Sequence, residues 1–208
     1  MIREKLMQDI DSFQAGILIA GSINGAKIEV IRSLMHDLKE KMKTFTTKYK
    51  LIELDRNSEY SYEKMVDTYY QRQESSYPGI NYRVASEVLP EGWELRFRIE
   101  IDYRLFAGFC LYNPNNQTLT NEVKKKIRQY IRMDREDDVA RKSWWLTFCY
   151  LPNGSQKFDD NVPNFKEMNP SAIKLVDAGE RAKLVDTAVM MIEDRLLTNA
   201  CHYEQFYI

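Results

Sequence analysis

Residues 93–101 read Trp-Glu-Leu-Arg-Phe-Arg-Ile-Glu-Ile, and no other stretch of the chain restricts its fold as tightly. Trp93, Leu95, Phe97, Ile99 and Ile101 alternate with Glu94, Arg96, Arg98 and Glu100. A side-chain period of two belongs to an extended strand; a helix would scatter these apolar groups around its circumference. The pattern predicts a β-strand with one face in the core and one in water. Turn signals flank it, Pro90-Glu91-Gly92 before and Asp102-Tyr103-Arg104 after. Connections this short join antiparallel neighbours, because a parallel crossover needs about a dozen residues.

The neighbouring segments extend the same sheet. Upstream, Tyr82, Val84 and Val88 alternate with Arg83, Ala85 and Glu87. Downstream, residues 105–112 are apolar on both faces, as in a central strand, and Asn113-Pro114-Asn115-Asn116 ends them. Residues 143–150, with Trp144 and Trp145, predict a fourth strand stopped by Pro152-Asn153-Gly154.

Elsewhere the period is helical. Ile2, Leu6, Ile10, Phe13 and Ile17 recur at helical spacing, and Gly21 with Asn24-Gly25 predicts a turn after them. Val30, Ile31, Leu34, Leu38, Met42 and Phe45 then form a stripe opposite Glu29, Arg32, Lys39, Glu40 and Lys43, an amphipathic helix. Residues 51–54 are apolar but too short to classify, and residues 62–73 predict another helix. Leu119, Val123, Ile127 and Ile131 make a further stripe. Asn169-Pro170 has the form of a cap followed by proline at the first helical position. Asp177 with Glu180 resembles a capping box for a last long helix bearing Ala182, Val185, Val189, Ile192 and Leu196. The expected class is α+β: an antiparallel meander of about four strands, flanked by an N-terminal helical segment and a long C-terminal helix. Residues 1–79 form the helical part and residues 80–208 the sheet with its helices, together one compact domain.

Composition narrows the function less. Thirty basic and 31 acidic residues nearly cancel, so net charge indicates neither a nucleic-acid partner nor a solvating tail. The longest apolar run, Gly16-Ile17-Leu18-Ile19-Ala20-Gly21, falls short of the roughly 20 residues that cross a bilayer. The acidic start, with Glu4, Asp9 and Asp11, lacks the basic-then-apolar form of a signal peptide. Cys110, Cys149 and Cys201 include no close pair, which suits reduced thiols and a cytoplasmic location.

Catalytic motifs are missing: the chain has no Gly-x-Ser-x-Gly elbow, no phosphate loop and no Gly-x-Gly-x-x-Gly. His36 reads as structural or solvent-facing, and Cys201-His202 with Glu204 lacks the second ligand pair of a structural zinc site. Asp134, Glu136, Asp137 and Asp138 lie among Arg132, Arg135, Arg141 and Lys142, which reads as a solvated turn. No catalytic residue, cofactor or metal is expected. Two sets of residues invite contact with a partner. Arg96 and Arg98 on the charged strand face, with Trp144 and Trp145, suit a protein partner or self-association. Lys124, Lys125, Arg128 and Arg132 give one helix a basic side suited to phosphates. Residues 104–112 are similar to an RNA-recognition strand, but Phe106 and Phe109 are three apart and so face opposite ways.

The order of a long helix, the strand Trp93-Glu94-Leu95-Arg96-Phe97-Arg98-Ile99-Glu100-Ile101, the apolar segment 105–112, the Trp144-Trp145 strand and a closing helix resembles the C-terminal half of bacterial PD-(D/E)XK-superfamily nuclease-like proteins. The resemblance spans about residues 25 to 197. That family's chemistry needs an Asp and a Glu-x-Lys on neighbouring strands, to hold magnesium and assist the attacking water. Here the Asp/Glu-x-Lys matches are Asp37-Leu38-Lys39 and Glu122-Val123-Lys124, both in helical stretches, so no catalytic residue carries over. The resemblance therefore implies the part that follows a nuclease core: a non-catalytic binding or assembly module of bacterial or phage defence or counter-defence. Two alternatives stand beside it. One is a metal-dependent nuclease whose acids, such as Glu87, Glu100 and Asp102, converge only in space. The other is a nucleic-acid-binding module using the basic helix.

Overall fold

The computed structural model describes residues 5, 7–54, 61–70, 77–84, 89, 91–115, 120–121, 124–125, 127, 145–154 and 160–198. Five strands form an antiparallel meander in chain order: β1 (Leu51–Glu53), β2 (Gly79–Val84), β3 (Glu94–Ile101), β4 (Leu105–Tyr112) and β5 (Trp145–Tyr150). The α+β class and the antiparallel sheet are as the sequence predicts. The fifth strand is β1, a three-residue edge paired with β2 through Leu51↔Val84 and Glu53↔Tyr82. Three residues show too little alternation to identify a strand, and only pairing with β2 defines this one.

One face of the sheet carries the main core. Tyr82, Phe97 and Phe109 stand in register across β2, β3 and β4, with ring centroids 6.4 and 5.2 Å apart. Ile80, Leu95, Ile99, Ile101, Ala107 and Leu111 share the same hydrophobic cluster. It is completed by α1 (Ile10–Lys48) and α4 (Ala178–Ile192), through Val30, Ile31, Leu34, Met35, Leu38 and Met42 of the first and Val185, Ala188, Val189 and Ile192 of the second. The expected stripe on α4 holds apart from Ala182, which is exposed.

Local rules place the helix starts. Asp177 Oδ1 accepts from Glu180 N at 2.9 Å to open α4, and Asn169 Oδ1 accepts from Ala172 N at 3.0 Å to open α3 (Pro170–Ile173). The helix expected over residues 62–73 is shorter: α2 (Tyr62–Met65) runs into a 3-10 turn over Val66–Thr68.

The turn expected at Gly21 and Asn24-Gly25 does not exist. Helix α1 passes through all three without a break, for 39 residues. Glycine in a helix interior costs about 1 kcal/mol against alanine, so two of them weaken a long helix without ending it.

Candidate functional site

The charged face of β3 is not wet. Arg98 is 4% exposed and Glu100 1%, and Arg98 Nη2 pairs with Glu100 Oε1. Arg96 stacks 3.3 Å from the Tyr112 ring centre and pairs with Glu94 at 2.9 Å. Alternation fixes which residues share a face but not what lies over it. Beside these charges, Phe106, Cys110 and Trp145 form a second buried cluster joined by Phe148 and Tyr150. In register, Phe106 stands opposite Glu100 and Cys110 opposite Arg96. Burial pushes the Cys110 thiol up to about 12, although Arg98 pulls it the other way. Removing one partner of a buried ion pair such as Arg98–Glu100 costs about 3–5 kcal/mol, so Arg98 is integral to the fold, whereas the Arg96–Glu94 pair is partly open.

The other sequence candidates are dispersed. Trp145 is core to the second cluster, and Trp144 lies outside the described residues. Lys124 is buried beside Ile127 while Lys125 is exposed; Arg128 and Arg132 lie outside the described residues. So do Glu87, the charged segment 134–142 and Cys201-His202. Asp102 Oδ1 accepts from Arg104 N at 2.8 Å and also from Tyr103 N, which uses it to shape the β3–β4 turn. Among the described residues no group of three or more His, Cys, Asp or Glu side chains is placed to hold a metal ion.

The Asp37-Leu38-Lys39 match sits on α1, where each residue has a structural partner. Asp37 meets Arg181 of α4 at 2.6 Å, and Leu38 is in the core. Buried Lys39 reaches Glu53 of β1 at 2.6 Å and Glu63 of α2 at 3.5 Å. An open groove of about 430 Å³ lies alongside, lined by Arg32, His36, Asp37, Glu63 and Arg181 among others. Its two arginines are matched to acids, Arg181 to Asp37 and Arg32 to Asp67 at 2.7 Å, so it presents no concentrated charge to a ligand.

The prominent feature lies at the other end of α1. From Ile28 onward the helix packs on the body, whereas residues 13–26 touch little. Ile10 is 74% exposed, Leu18 71% and Ile19 65%, with Met7, Phe13, Ile17 and Ile23 also open. Residues 12–26 contain no charged side chain. Asp9 caps this end, accepting from Ser12 N at 2.7 Å and Ser12 Oγ at 2.9 Å, and these bonds hold its carboxyl below its ordinary pKa. Beyond the cap, no tertiary contact among the described residues explains so apolar a helix. The sequence carries the signal as an uncharged run, legible once the length of α1 is known.

Comparison with family models, curated proteins and solved structures finds no match to this chain. Among the described residues no helix is long and apolar enough to cross a membrane.

Proposed function

We propose that the chain is a non-catalytic binding or assembly module, acting in the cytoplasm, whose contact element is the projecting half of α1. The observation that carries this reading is a helix segment without charge over residues 12–26, whose large apolar side chains are open to solvent on several sides. A helix apolar all round is normally buried, and contiguous exposed apolar patches mark interaction sites. The likeness to the part after the core in PD-(D/E)XK-superfamily proteins agrees with a supporting role in bacterial or phage defence, because the one described Asp-x-Lys match is engaged in packing.

The test compares the full chain with its Leu18→Glu/Ile19→Glu variant as baits in the native host. A partner retained by the first and lost by the second supports the reading. Identical captures, or magnesium-dependent cleavage of DNA or RNA by the purified chain, refute it. Glu100→Ala is a poor probe for cleavage, because loss of activity would follow from unfolding alone. A nucleic-acid reading through Lys125 would instead show binding that falls steeply with salt.

A further inference from the structure

The nature of the partner follows from the size and charge of the projecting segment, and the inference rests on the assembly reading above. Taking roughly 150–200 Å² for a fully exposed large side chain, the lower part of the aromatic range because six of the seven are aliphatic, the seven between residues 7 and 23 leave roughly 650–850 Å² open around the helix. The largest apolar patch of a typical monomer is about 300–600 Å². A stable interface takes about 800 Å² from each partner. Because these side chains are spread around the helix, one partner arm covers about half of this area from each copy, a contact at the small end of the range for specific interfaces.

Charge sets the direction. The segment begins with an acidic turn, Asp9 and Asp11, and ends at Lys27, with only uncharged residues over 12–26. Two such segments laid antiparallel bring Lys27 of each copy to the acidic turn of the other, at both ends. Laid parallel, they bring acid against acid and lysine against lysine. A two-fold axis near Ile19 generates both favourable ends from one set of contacts, as an isologous dimer requires. A membrane surface is disfavoured by the same composition: helices that lie on lipid carry Lys and Arg along their polar face, and this one has none between Asp11 and Lys27.

We propose that residues 10–27 are a self-association arm that pairs antiparallel with the same arm of a second copy. Because the contact is apolar, it persists in high salt, unlike binding through surface charges.

Light scattering on the purified full chain tests this, with Gln14→Cys and Asn24→Cys prepared singly in a Cys201→Ser background. The expected mass is twice 24.6 kDa, unchanged in 0.5 M salt, and Ile17→Glu/Ile19→Glu halves it while leaving the near-ultraviolet circular dichroism of the body intact. On mild oxidation the mixed pair should cross-link position 14 to position 24, with little cross-linking of either variant to itself. A wild-type monomer at 100 μM, or efficient 14-to-14 cross-linking, overturns the antiparallel arm. So does arm-dependent flotation with anionic phosphatidylserine vesicles. If the chain is monomeric yet captures a different protein through the arm, self-pairing fails and the assembly reading stands. If it is monomeric and captures nothing through the arm, both fail.

Discussion

Helix α1 is two different objects on one backbone. Residues 28–48 are amphipathic, with Leu34, Met35, Leu38 and Met42 fully buried and Lys39 tying the helix to β1 and α2. Residues 10–27 expose large apolar side chains on several sides with no charge over 12–26, contain Gly16, Gly21 and Gly25, and among the described residues are held by little beyond the Asp9 cap and Lys27 over the Tyr70 ring. Most helical stability in proteins comes from tertiary packing, and an isolated segment of this length is marginal in water. The second half is therefore helical because of the body. The first half needs something else to cover it.

The contrast can be broken most forcefully at the core. Leu34→Ala should lower unfolding stability by about 2–5 kcal/mol, measured by urea titration, because a fully buried leucine leaves a cavity. Leu18→Ala should change it by less than about 0.5 kcal/mol in dilute monomer. Equal effects would mean that the two halves are not distinct. Lysines give the next step. Lys39→Met leaves Glu53 and Glu63 without their shared cation and should cost about 1–3 kcal/mol. Lys27→Met, which removes only a distant contact over the Tyr70 ring, should leave monomer stability almost unchanged.

A smaller effect sits at the far end of α1. Glu193 accepts from Lys48 and, at 2.9 Å, from the Tyr49 hydroxyl, and these bonds hold its carboxyl below the ordinary glutamate range. A depressed carboxyl stabilises the folded state above its unfolded pKa and loses that contribution as pH falls through the folded value. Glu193→Gln should thus cost a few tenths of a kcal/mol at pH 7. The gap between variant and wild type should begin to narrow as pH falls below about 4.3, the unperturbed glutamate value, and close beneath the lower folded one; one that widened in acid would reverse the assignment. The finest test is glycine. A Cβ at Gly25 would meet nothing within 4 Å, so Gly25→Ala should strengthen the helix by about 0.5–1 kcal/mol. Hydrogen exchange of residues 10–27 would register it as slower exchange in dilute protein.

The sequence makes some of this legible and hides the rest for physical reasons. The alternation of residues 93–101 locates β3, and the side chains of Asn169 and Asp177 mark helix starts, because strand period and capping are local. Edge strand β1 depends on β2, whose residues Tyr82 to Val84 pair with Glu53 to Leu51, so nothing local announces it. Gly21 and Asn24-Gly25 look like a turn only if a helix must be locally strong throughout; the helix that follows them is anchored well enough to extend through them. Arg98 and Glu100 look solvated because their faces are read one strand at a time, and the aromatic cluster beside them is assembled from β4 and β5. The uncharged stretch 12–26 is visible from the start, but its meaning changes once α1 is seen to run 39 residues with half its length off the body.

Gly108, in the middle of β4, faces the backbone of β5 so closely that a Cβ there would lie 2.1 Å from Thr147 O and 2.6 Å from Phe148 Cα. Both obstacles are main-chain atoms, which no side-chain rotation can move. As sequences diverge, most positions of this sheet can be exchanged in small steps, but this one allows no first step without parting two strands. Distant descendants that keep the β4–β5 pairing should therefore still spell glycine here, a fixed letter for aligning them after other likeness has faded.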